Sequence, residues 1–341
     1  MNIKKGFAAG ALVLFGLFAV HAVRRDPRAM ALLGRLAGEG LRVSAPVEST
    51  TAGEPARETA GAAEVPEAEL SLPPFPHEVE IPKKEAPPEA SAVILPTTIA
   101  GGMVLTNSTS YEPDLSALLA AGSAVRLSPD GPQILIIHTH GSEAYTPGLT
   151  DSYELTDNYR TEDPAYSVIR VGDELAACLE SYGLRVIHDR EIYDYPSYTG
   201  SYGRSEQAVK KYLEQYPSVS VVLDVHRDAI GDGDVVYKTV AEAGGKPCSQ
   251  VMLLAGTGEN GLEHPNWKEN LKFALFLQSA IVKKHPSLAR PIALKKERYN
   301  QHLSTGSLIL EVGSSGNTLE EALNAVRLFA DAAAPALKDL G

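Results

Sequence analysis

Four consecutive aliphatic residues, Ile134 to Ile137, give way abruptly to His138-Thr139-His140-Gly141-Ser142-Glu143. An unbroken apolar run of this length predicts a strand buried on both faces, as in a parallel sheet. The carboxyl end of such a strand opens into the crevice where α/β folds bind ligands. The pattern recurs twice. Val219 to Val225, broken only by Ser220 and Asp224, leads into His226-Arg227-Asp228, and Ser307 to Leu310 leads into Glu311. Shorter strands are expected at Leu184–His188, Val235–Val240 and Val251–Ala255.

Helical spacing separates these runs. Val168, Val171, Leu175, Cys178 and Leu179 predict a helix from Val168 to Tyr182, stopped by Gly183. Others are expected at Ser205–Tyr216 before Pro217 and at Asn266–Lys284 before Pro286. The last, Thr318–Leu337, opens on Thr318 with Glu321 three residues on, the signature of a capping box. Strand and helix alternate, which predicts an α/β fold with a mainly parallel twisted sheet and helices on both faces. No internal repeat is present.

Upstream the pattern changes. Lys4 and Lys5 precede an uncharged apolar run, Gly6 to Val23, closed by Arg24 and Arg25. Its length is roughly that needed to cross a bilayer. Val20-His21-Ala22 is a poor cleavage site, so an N-terminal transmembrane helix is expected over a removed signal. The positive-inside rule keeps the Lys4/Lys5 end cytoplasmic and sends the rest across, although Arg24 and Arg25 weaken that orientation. After a short helix expected at Arg28–Leu41, a stretch rich in Pro, Ala, Glu and Thr runs to about residue 96. Such a segment buries too little apolar area to offset its ordering entropy and stays extended. The expected organisation is an anchor or signal at 1–26, a disordered linker at 27–95 and a folded domain at 96–341.

Composition narrows the function. A net charge of −12 argues against nucleic acid or anionic lipid as a partner for the bulk of the chain. The two cysteines, Cys178 and Cys248, form no CxxC pair, excluding a thiolate-built zinc site and a disulfide framework. Gly256 to Gly261 fits GxGxxG, but Pro265 falls where a phosphate-binding helix should continue. No HExxH or GxSxG occurs.

The strand-end residues suit metal-assisted hydrolysis. Such a site takes about three protein ligands, an open position for water, and a carboxylate to accept that water's proton. His140, His226 and an acidic residue can be the ligands, with Glu311 as the base. His138 and His140, two apart, share one face of an extended chain, so either can reach the metal. Asp228 is expected to orient the His226 imidazole, and Asp224 to face away from it. Arg227 is read either as a clamp for a substrate carboxylate or as an ion pair with Asp228 or Glu311. The tyrosine-rich stretch Tyr193 to Arg204 is either loop filler or a wall for a sugar or peptide.

These residues fall in longer motifs: ILIIHTHGSEAYTPG from Ile134, VGDEL from Val171, DYPSY from Asp194, LDVHRDAI from Leu223, HPNW from His264 and NQHLSTGSLILEV from Asn300. In order and length they resemble the stage II sporulation protein P family over roughly residues 95 to 340. The resemblance implies a zinc-dependent N-acetylmuramoyl-L-alanine amidase fold and cleavage of the amide between muramic acid and L-alanine in peptidoglycan. Endopeptidase activity on cross-links is also implied. So is a membrane-anchored protein in the septal space of a sporulating bacterium, acting with sporulation proteins D and M in engulfment. By that resemblance His140 and His226 match the zinc histidines and Glu311 the catalytic glutamate. Glu143 lies within the HTHxSE motif. In the wider amidases the acidic ligand falls further on, which leaves Glu154, Glu162 and Asp163 as alternatives. A non-catalytic wall-binding or scaffolding module on the same fold is the competing reading. A phosphoesterase is a weaker one, since it would want a more carboxylate-rich, two-metal site.

Overall fold

The computed structural model describes residues 97–100, 103–148, 159–231, 236–243 and 245–341. Eight strands form one sheet: β1 (Thr97–Ala100), β2 (Met103–Asn107), β3 (Ile134–Ile137), β4 (Val186–His188), β5 (Val221–Asp228), β6 (Val251–Gly256), β7 (Ile292–Lys295) and β8 (Gly306–Ser314), in the order β1-β2-β7-β6-β8-β5-β3-β4. The helices are α1 (Leu115–Ala121), α2 (Val168–Ser181), α3 (Ser201–Gln215), α4 (Trp267–Lys284) and α5 (Leu319–Lys338). Neighbouring strands from β4 through β3 and β5 to β8 are all parallel. The sheet then reverses, because β6 runs antiparallel to β8 while β7 and β2 follow β6. The sheet is therefore mixed, with parallel pairing predominant.

Strand alternation divides the core. Ile134, Ile136, Leu223, Val225, Leu308 and Leu310 face the side covered by α2, α4 and α5. Leu135, Ile137 and Val222 face the other side, covered by Val209 of α3. Helices thus lie on both faces, as the alternation predicts. On the larger side Phe273 and Phe329 are wholly buried, and truncating either to Ala would cost about 3–5 kcal/mol. The capping box forms: Glu321 donates its backbone N–H to Thr318 Oγ1 at 3.3 Å, and Thr318 donates its own to Glu321 Oε2 at 3.0 Å.

Several expectations need correcting. No strand is assigned among the described residues of 235–240, which carry one isolated bridge, Gly231 to Val236. Their backbone is satisfied sideways instead, with Thr239 N–H donating to Asn317 Oδ1 at 3.0 Å. Helix α3 starts four residues earlier than the sequence predicts, which places Tyr202 on the helix. The first two GxGxxG glycines serve close backbone approach: a Cβ on Gly256 would sit 2.1 Å from the Glu297 carbonyl oxygen, and one on Gly258 2.0 Å from that of Leu262. Among the described residues no helix is long and apolar enough to cross a membrane. The predicted membrane span and the whole of the linker, including the expected Arg28–Leu41 helix, lie outside the described residues.

Candidate metal centre

The parallel pairing of β3, β5 and β8 brings their carboxyl ends to one edge. In that register His226 lies directly opposite Glu311. Beyond Ile137 the chain leaves the strand and turns over Thr139–Ser142, carrying His140 and Glu143 towards His226. Ligand atoms of His140, Glu143 and His226 all lie within 4.8 Å of one another, and all three residues are buried. Glu143 sits between the imidazoles, with Oε1 3.6 Å from His140 Nδ1 and Oε2 3.4 Å from His226 Nδ1.

Surrounding groups fix each of these side chains. Arg227 donates its backbone N–H to Glu143 Oε2 at 3.1 Å. Arg160 places a guanidinium nitrogen 3.5 Å from Glu143 Oε1. On the far side of His226, Asp224 Oδ1 lies 2.9 Å from Nε2. Asp224 is itself held by Thr139, which donates its backbone N–H at 2.8 Å and its hydroxyl at 2.6 Å. Carboxylates that orient ligand imidazoles in this way are typical of metal sites.

The electrostatics follow from burial and proximity. Burial pushes His140 down, favouring the neutral imidazole that a metal requires. Burial works against ionisation of Glu143, but Arg227 and the bonds from His140 and His226 outweigh it and hold the carboxyl well below its usual range. Burial likewise opposes charge on His226, but Asp224 and Glu143 prevail and push it well above its usual value. The cluster thus recruits a proton between two carboxylates, at a position where a divalent cation would supply the charge instead. Nε2 of His140 is buried with no hydrogen-bond partner. These features fit a metal bound by two histidines and a carboxylate.

Glu311 is different in kind. Its Oε2 is buried without a partner, and burial pushes its carboxyl up to about 8, helped by Asp228 and Glu143 against the pull of His226.

The structure separates the predicted residues. His138 does not join the cluster: it continues the Ile134/Ile136 face of β3 and packs beneath α2. There Nδ1 lies 2.9 Å from the Val225 carbonyl oxygen, and Nε2 2.8 Å from His188 Nε2. The shared face expected for His138 and His140 is lost because the chain turns after His138. Arg227 does not present a free fork for a substrate carboxylate. Its guanidinium is buried, donating to the Ala144 carbonyl at 2.9 Å and the Tyr159 carbonyl at 3.2 Å. The roles of the two aspartates are exchanged. Asp224 shares a strand face with His226, whereas Asp228 follows a register irregularity and pairs with Arg290 at 2.7 Å. Glu162 and Asp163 are exposed, and Asp163 accepts from the Ala165 N–H at 2.9 Å. Glu154 lies outside the described residues. Sequence reasoning missed Arg160 altogether, since nothing in its neighbourhood marks it as a partner of Glu143.

Together these features define an α/β protein with a buried His–Glu–His cluster, and a glutamate facing it across the strand pair, at the carboxyl edge of its sheet. The chain belongs to the stage II sporulation protein P family, whose model matches residues 57–334. It is 30% identical over 209 residues to Stage II sporulation protein P of Bacillus subtilis (strain 168). That match covers 58% of this chain and 49% of the relative, so the chain spans about half the length of the curated protein it resembles. Among solved structures, N-acetylmuramoyl-L-alanine amidase AmiC2 of Nostoc punctiforme is 14% identical, covering 62% of this chain and 97% of that one, with a TM-score of 0.33. The N-acetylmuramyl-L-alanine amidase Ami1 from Mycobacterium abscessus is 11% identical, covering 62% and 99%, with a TM-score of 0.37. TM-scores of this size are too low to bear on chemistry.

Proposed function

We propose that this protein is a zinc-dependent N-acetylmuramoyl-L-alanine amidase that remodels the septal wall during sporulation. The observation that carries the reading is the convergence of His140, Glu143 and His226 on one point, with Glu311 opposite His226 in the sheet. His140, Glu143 and His226 would hold the metal. When bound, zinc supplies a Lewis acid for the scissile carbonyl and lowers the pKa of its water towards ~7.

The remaining steps belong to the chain's own residues. Glu311, held near neutrality by burial, is suited to accept a proton from the attacking water at its carboxylate and return it to the leaving amine. Asp224 keeps the His226 ring oriented, and Arg227 and Arg160 keep Glu143 ionised and in place. The family membership supports peptidoglycan as substrate and sporulation as setting. In the same reading residues 6–23 anchor the protein with its folded domain outside the cytoplasm. Sporulation proteins D and M are its partners, and cross-link endopeptidase activity is a further capacity.

The test is digestion of purified peptidoglycan by the zinc-loaded full chain, with products identified by mass spectrometry. Release of free stem peptides, abolished by chelator and by Glu311→Gln, supports the amidase. Wall that binds the protein yet stays intact would indicate a binding module.

A further inference from the structure

The stretch from Tyr193 to Arg204 is no loose loop filler. Arg204 gathers three of its carbonyls: Tyr193 O at 2.7 Å, Thr199 O at 3.1 Å and Ser197 O. Asp194 ties the other end to the turn that carries the candidate ligands, accepting the Ser142 N–H at 3.0 Å and the Ser142 hydroxyl at 2.6 Å. It also pairs with Arg160. A single guanidinium and a single buried carboxylate therefore fix this segment against the turn bearing His140 and Glu143.

What the segment presents is Tyr198. Its ring stacks on the His140 imidazole, centroids 4.6 Å apart and planes 26° from parallel, and the Arg160 guanidinium carbon lies 4.9 Å from its centroid. Tyr202 closes the other side of His140 edge-on at 5.4 Å. Yet Tyr198 remains 49% exposed, and no hydrogen bond of its hydroxyl is found among the described residues. The ring is thus positioned by its neighbours while its outer half stays open to solvent beside the candidate ligands, the kind of preorganised contact a binding site requires.

We propose that Tyr198 is a substrate-binding residue of this site, its hydroxyl hydrogen-bonding the amide or sugar of the substrate at the mouth above His140. The inference rests on the amidase reading for its substrate, a muramoyl-peptide. The chemistry is general: a phenol offers an apolar face to a sugar ring or peptide plane and a polar tip for one hydrogen bond.

The experiment measures KM and kcat of the zinc-loaded full chain on a defined soluble N-acetylmuramoyl-peptide. Zinc content and melting temperature are recorded for each variant. A neutral hydrogen bond contributes about 0.5–1.5 kcal/mol, so Tyr198→Phe should raise KM roughly 2- to 12-fold with kcat nearly unchanged. Tyr198→Ala, which also loses the ring, should raise it further. Both variants should keep the zinc content of the wild type. Unchanged KM in Tyr198→Phe overturns the hydroxyl contact, and lost zinc in that variant would make Tyr198 a support for His140 instead. Should wild type hydrolyse nothing, the amidase reading fails alone. Tyr198 is then tested by sedimentation of the full chain with purified peptidoglycan, where Tyr198→Ala must weaken binding severalfold, and equal binding overturns the proposal.

Discussion

His138 and His140 stand two residues apart at the end of one strand, and the fold uses them in opposite ways. His138 is buried under α2 with both ring nitrogens engaged, one on the Val225 carbonyl and one on His188. His188 in turn lies 3.2 Å from Asp173. His140 turns to the other side, with a nitrogen left unpartnered beside a carboxylate and a second imidazole. The difference shows that a histidine at a strand end declares its role through its partners. Satisfied nitrogens mark a packing residue; an unsatisfied one among other ligands marks a site. The surrounding ligands are essential to that rule. His264 is buried with both nitrogens unpartnered, but it belongs to no metal-ligand cluster among the described residues.

The largest effect should come from the site. Glu311→Gln removes the proposed proton acceptor and should lower the rate by about 10²–10⁴-fold with zinc content unchanged. Loss of zinc in that variant would mean that Glu311 is a ligand and not a base. Metal removal should come next. Stripping the full chain with chelator should lower its melting temperature, since a cation at ~100 times its Kd stabilises by about 2.7 kcal/mol. Calorimetry with and without zinc reads this directly.

On the His138 side the expected effect is on stability alone. A Cβ on Gly172 would lie 2.5 Å from both His138 Nε2 and His188 Nε2. Gly172→Ala should therefore destabilise by about 1–3 kcal/mol, measured by urea unfolding, while zinc binding persists. Equal stability would show that the two rings move freely. A separate effect is a pH slope. Burial, with His302 and Arg298 nearby, pushes His264 down to about 4, below its ordinary 6.5. Between those values the unfolded chain binds the extra proton, so the neutral ring's contribution is complete above pH 6.5 and is lost as pH falls towards 4. His264→Gln should flatten that part of the stability–pH curve; an unchanged slope would place the titration elsewhere.

Much of this was legible in the sequence, and the reasons differ by element. The buried strands β3, β5 and β8 announced themselves because double-sided burial demands unbroken apolar runs, and α5 because its capping box is local chemistry. The strand-end residues His140, His226 and Glu311 could be singled out for the same reason. Strands β1, β2 and β7 were not foreseen, being only four or five residues long without an unambiguous pattern. The reversal between β8 and β6 depends on how a long connection returns to the sheet, which no periodicity encodes. Within the site, most missed facts were tertiary, although the shared face of Asp224 and His226 follows from the two-residue strand period itself. A tight turn after His138 sends it and His140 apart, and a register irregularity after His226 takes Asp228 off the face that Asp224 still shares with the imidazole. Arg227 spends its fork on the carbonyls of Ala144 and Tyr159, a use that only the folded path of residues 138–160 creates.

The most direct test is a zinc titration of the full chain by isothermal calorimetry, comparing wild type with His140→Ala and His138→Asn. One site per chain is predicted for wild type, lost in His140→Ala and retained in His138→Asn, whose amide can still donate to the Val225 carbonyl. Zinc binding that survives without His140, or that disappears only with His138, would contradict the account.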